Sequence, residues 1–159
     1  MQLVFLAPFF QWCDKTLLGQ WVRGGRWEFP LIETLHILAL TMLYGCVVVL
    51  SLRLMGVLMR GWTLPSLTRE VTPWLNWSLG TILVTGTLLY LSEATKAFGN
   101  DAFWLKIYLI TAALIFHFTV FRKVTHAPIE RPGAGKLVGA LSLFLWLGIG
   151  CAGRAIGFV

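Results

Sequence analysis

The chain has 159 residues, of which 57% are hydrophobic and 13% charged, with a formal net charge of +6. Its mean hydropathy of +0.76 is far above that of a soluble domain, where about a quarter of residues are charged. The length leaves room for one domain with short loops and no separate soluble catalytic unit. The basic residues sit in the connections beside apolar runs, where membrane topology and anionic lipid explain them, so nucleic-acid binding is not expected.

The first ten residues are apolar but lack a basic leader and a small-residue cleavage site, so the segment is expected to be retained. Residues 9–22 interleave Phe9, Phe10, Trp12, Leu17, Leu18 and Trp21 with Gln11, Asp14, Lys15 and Gln20. That mixture predicts an amphipathic interfacial segment over residues 1–27. Four apolar runs follow at 29–50, 74–92, 103–121 and 137–158, each close to the ~20 residues that a helix needs to cross a bilayer. They predict transmembrane helices over about 29–58, 73–95, 103–124 and 136–158. The first opens at Pro30 and the second at Pro73, both good first-turn positions, and Trp74 and Trp77 anchor the second at the interface. Residues 61–72, with Pro65, Ser66, Thr68 and Glu70, read as a loop or short surface helix. Gly99, Asn100 and Asp101 make a turn into the third helix, and 126–135, with Pro128 and Pro132, form the last loop.

The expected fold class is therefore an all-α membrane protein, an antiparallel four-helix bundle in a single domain. The loops 51–72 and 122–136 carry Arg53, Arg60, Arg69, Arg122, Lys123, Arg131 and Lys136. The opposite side carries Lys15, Arg23, Arg26 and Lys96, seven against four. This bias places both termini outside the cytoplasm.

Two ionisable groups lie deep in the runs, His36 in the first and His117 in the third. Such residues are costly in a bilayer and mark functional sites by default. At 1.5 Å per residue, His36 lies roughly 12 Å and His117 roughly 22 Å from the outer boundary. Two sites, one near each face, suit this offset of about 10 Å better than one bis-histidine site, although the single site remains an alternative. Glu33, Lys106 and Arg154 each lie about five residues from the outer end of a different helix and are expected to converge near His36. Lys106 and Arg154 suit haem propionates, and Glu33, one turn from His36, suits orienting it. On the other side Arg122 and Lys123 follow His117, Ala112 and Ala113 leave space for a flat macrocycle, Arg53 is a further charge partner, and His126 is a third ligand candidate. The cysteines, Cys13, Cys46 and Cys151, show no metal spacing and read as small hydrophobes. Cys46, Met42, Met55 and Met59 lack the repeated spacing that copper would require. Gly150, Gly153 and Gly157 form a small-residue face suited to close helix packing.

The segments Ile32-Glu33-Thr34-Leu35-His36, Leu52-Arg53-Leu54-Met55-Gly56, Phe116-His117-Phe118-Thr119-Val120 and Ala140-Leu141-Ser142-Leu143-Phe144-Leu145-Trp146, with Ala152-Gly153-Arg154, resemble a bacterial family of small four-helix inner-membrane proteins of unknown function. The resemblance runs from Trp27 onward. It implies the fold and a multi-pass location in the bacterial inner membrane, with periplasmic termini following from the charge bias. More loosely, the intramembrane histidines resemble those of transmembrane b-type cytochromes, although the paired-histidine spacing on one helix is missing.

These features lead to an expected membrane-embedded b-type haem protein acting in electron transfer or haem-based redox or gas chemistry. His36 and His117 are its axial ligands, with one or two haem b groups per chain. A haem-dependent oxidoreductase, a quinone or redox-protein partner and a homo-oligomer in the lipid bilayer are consistent with it. The alternative is a cofactor-free transporter or assembly subunit in which Glu33, Lys106 and Arg154 line a polar path.

Overall fold

The structure, a computed structural model, describes residues 7–127 and 132–155. Residues 1–6 of the N-terminal segment, Pro128, Arg131 and Gly157 lie outside that range. The described chain is all-helical: α1 (Ala7–Asp14), α2 (Leu17–Gly24), α3 (Glu28–Leu54), α4 (Leu64–Ser92), α5 (Ala94–Phe98), α6 (Asp101–Phe116), α7 (Arg122–Thr125) and α8 (Pro132–Ala155). A π-helical turn, His117–Phe121, joins α6 to α7. Three helical segments are long and apolar enough to cross a membrane, namely Glu28–Leu54, Asp101–Thr125 and Gly133–Ala155. The helix α4 is as long, but Arg69, Glu70, Asn76 and a series of threonines dilute its apolar character.

Local signals set the helix ends. Gly56, at φ 73° just past α3, takes the left-handed conformation that ends a helix at little cost to glycine, and the Val57 amide returns to the Leu52 carbonyl at 2.9 Å. The Asn100 side chain caps α6 by accepting from the amides of Ala102 (2.9 Å) and Phe103 (3.2 Å). One boundary differs from expectation: α4 begins at Leu64, not at Pro73. Thr63 caps it by accepting from the Ser66 amide, and Pro65 occupies its first turn. Pro73 then lies inside the helix, where the only backbone group it leaves without a donor is the Arg69 carbonyl. The earlier start wins because Leu64, Leu67, Thr68, Leu75 and Leu79 form one buried stripe.

The helix α3 packs between α4 and α8, and α6 packs on α8. Leu43, Cys46, Val47, Leu50 and Leu54 of α3 form the centre of the core with Trp146 and Ile149 of α8 and Phe121 of the π turn. The contact between α3 and α8 is close enough to need glycine: a Cβ at Gly139 would sit 2.6 Å from the Ser51 carbonyl oxygen, and one at Gly135 3.1 Å from that of Leu54. These two positions make a small-xxx-small seam. Gly150 and Gly153 serve contacts within the chain: a Cβ at Gly150 would meet the Tyr44 hydroxyl and one at Gly153 the Lys106 side chain.

The N-terminal segment folds as α1 and α2 across one end of the long helices. Phe10 is buried against Tyr90, Phe98 and Trp104, with ring centroids 5.7, 4.8 and 5.8 Å away. Phe9, Trp12, Leu17, Leu18 and Trp21 remain exposed, the outward apolar stripe expected of a segment lying at a membrane surface.

Candidate functional site

The antiparallel register brings residues from all four long helices to one level near the α1/α2 end. His36 of α3 meets Thr85 of α4, with Nδ1 2.8 Å from Thr85 Oγ1. The Thr85 hydroxyl donates to the Thr81 carbonyl at 2.7 Å, so towards the ring it accepts. The Nδ1 nitrogen therefore carries the ring proton, and Nε2 keeps its lone pair. The next residue, Gly86, lets the imidazole lie against α4: a Cβ there would be 3.2 Å from His36 Cε1. Lys106 of α6 reaches the same level, running along Gly153 of α8. Glu33 and Arg154 are exposed at this end, so of the expected trio only Lys106 is inside with His36.

The first half of α3 contributes no buried residue, and Leu31, Leu35, Ile37 and Leu38 are all at least half exposed. The protein is thus loosely closed around His36. A cleft of about 520 Å³ opens laterally between α3 and α4, lined by Leu35, Asn76, Trp77, Gly80, Thr81, Val84 and Thr85, within the size range of small-molecule and cofactor sites.

His117 is placed near the opposite end, and the structure does not bring it to His36. It is only 6% exposed and opens the π turn, where the Arg122 amide bonds back to the His117 carbonyl. Such turns recur at functional sites. Its ring stacks on Phe121 at 5.3 Å, and its buried Nδ1 has no hydrogen-bond partner. Beside it is a void of about 10 Å³, the size of one water and not of a macrocycle. Ala113 is fully buried in the core, so its small side chain is used for helix packing. Arg122 and His126 are exposed at this void, and the His126 Nδ1 donates to the Arg122 carbonyl at 2.9 Å. Arg53 donates to the Trp62 carbonyl at 2.9 Å and ties the α3–α4 loop.

Sequence reasoning missed Thr85 and Gly86, whose spacing from Thr81 carries no ligand signal, and it missed the seam at Gly135 and Gly139, which a search for small residues four apart would have found. Among the described residues no group of three or more His, Cys, Asp or Glu side chains could hold a metal ion. The residues present fit a haem at His36, where the ring offers a free Nε2 in an open region beside a lysine. Neither a curated protein nor a solved structure matches the chain. Residues 9–159 match the family of unknown function DUF6644, and the chain belongs to that family.

Proposed function

We propose that this protein is a membrane-embedded b-type haem protein, with His36 as an axial ligand, acting in electron transfer or haem-based redox or gas chemistry. The observation that carries the reading is the hydrogen bond from His36 to Thr85. Metal-bound histidines are typically held by such a bond at the second ring nitrogen, which fixes tautomer and orientation and raises basicity. Bound haem would supply a redox-active iron whose potential the axial ligand sets. The chain's own part is to hold the imidazole and to place the Lys106 cation where a propionate can meet it.

In this reading all four long helices cross the bacterial inner membrane as an antiparallel bundle. The length of α4 suffices for a crossing, and Thr68, Ser78 and Thr85 on it are buried within the protein. Both termini face away from the basic loops, hence outside the cytoplasm. A homo-oligomer in the bilayer, served by a quinone or redox-protein partner, would close the lateral cleft beside Thr85. The test is the spectrum and pyridine-haemochrome content of purified protein. Wild type should be red with a Soret band, His36→Ala should lose the haem, and His117→Ala should keep it. Full haem in His36→Ala overturns the ligand assignment.

Lys106, half-buried inside a spanning segment, favours one competing reading, a cofactor-free transporter with a polar path through Lys106, Glu33 and Arg154. A colourless wild-type protein, expressed with haem supplied, selects that reading.

A further inference from the structure

The void beside His117 has three properties that belong together. It is water-sized, at about 10 Å³. Its polar lining comes from Thr72 and Asn76 of α4, from His117 of the π turn, and from Thr125 and His126 at the end of α7. And the His117 Nδ1, on a ring 6% exposed, is left with no partner among the described residues. A buried imidazole nitrogen without a hydrogen bond is costly, and nothing in the protein offsets that cost. A water held by two to four polar groups does.

We infer that one water molecule is bound here, hydrogen-bonded to His117 Nδ1 and to the Asn76 and Thr72 side chains, and that it links His117 to solvent at His126. The π turn makes the space, since its wider winding separates His117 from the next turn. The water is a proton route: it passes one proton to His117 and takes one from the solvent side at His126, with no electron transfer and no other reactant. The charged or titratable groups at its wall are Arg122 and His126. The walls from α3 and α4 supply Leu50, Thr72, Leu75 and Asn76, none titratable. The route lies at the end opposite His36 and does not depend on haem.

Hydrogen–deuterium exchange at the imidazole Cε1 position, followed by mass spectrometry on the full chain in lipid nanodiscs, reports water access for each histidine separately. His117 should exchange measurably despite its burial. Asn76→Leu fills the void and should slow His117 by roughly tenfold or more as its water is lost, leaving the exposed His126 unchanged. Thr72→Val, which keeps shape and removes one polar partner, should slow it less, and it keeps the test open if the leucine variant fails to fold. His126→Leu seals the mouth and should also slow His117. A His117 that does not exchange in wild type, or that exchanges equally in wild type and Thr72→Val or Asn76→Leu, overturns the inference.

Discussion

The imidazole of His36 lies against Gly86, with its Cε1 only 3.2 Å from where a Cβ at that position would be. The ring is thereby held between a hydrogen-bonding threonine and a residue with no side chain, two successive positions on α4. Gly86→Ala requires the ring to give by a few tenths of an ångström, whereas Gly86→Val pushes it away from Thr85. Haem per chain, measured by pyridine haemochrome, should be largely kept in the first and largely lost in the second. Thr85→Val removes the hydrogen bond while keeping the shape, and haem affinity should fall by about tenfold or more. Equal affinity in wild type and Thr85→Val would show that the bond is structural only.

The seam between α3 and α8 gives a prediction that involves no cofactor. Gly139→Leu places a side chain where the Ser51 carbonyl lies, so the helices must separate. Overpacking of this kind costs about 1–3 kcal/mol. The thermal midpoint in mild detergent should drop, while Gly148→Ala, whose new Cβ would make ordinary contact with Leu109 at 3.6 Å, should leave it nearly unchanged. Unchanged melting in Gly139→Leu argues against this packing.

Phe10 fastens the N-terminal helices to the rest of the chain. Its removal in Phe10→Ala leaves a hole among Tyr90, Phe98 and Trp104, and such truncations in a core cost about 3–5 kcal/mol. Here the loss should appear as detachment of α1 and not as global unfolding. Trypsin should cut at Lys15 or Arg23 much faster than in wild type, with the fragment from α3 onward intact. Protection equal to wild type would mean that α1 is held by something other than Phe10.

Topology is tested by fusions at the C-terminus. Alkaline phosphatase should be active and green fluorescent protein dark, because Arg53, Arg60, Arg69, Arg122, Lys123 and Lys136 mark the other side as cytoplasmic. The reverse pattern would invert the protein and give the His117 end to the outside.

Light scattering should report a mass in detergent well above one 17.8 kDa chain. The contact is expected on the lateral face of α3 and α4, where Leu35, Trp77 and Val84 stand exposed around the cleft. A monomer that keeps its haem would sink the oligomer.

How far the sequence reaches is visible at particular residues. The cap at Asn100 and the glycine after α3 act over one turn, and both can be read directly from the chain. The start of α4 was ambiguous because Pro65 and Pro73 are both valid first-turn residues; the buried stripe from Leu64 decides it, and burial is not a local property. His36 and His117 stand out because ionisable groups are rare in apolar runs, yet the partner of His36 depends on how α3 registers against α4. The π turn carries no glycine or proline to announce it. Small residues recur at both ends of α8, and only the fold tells which of them face α3, which face Tyr44 and which face Lys106.

The aromatic pocket that receives Phe10 is built from α4, α5 and the start of α6, all made long after Phe10 itself. A growing chain therefore carries α1 and α2 with their apolar face bare, resting on lipid, while the pocket that will hold them is still being synthesised.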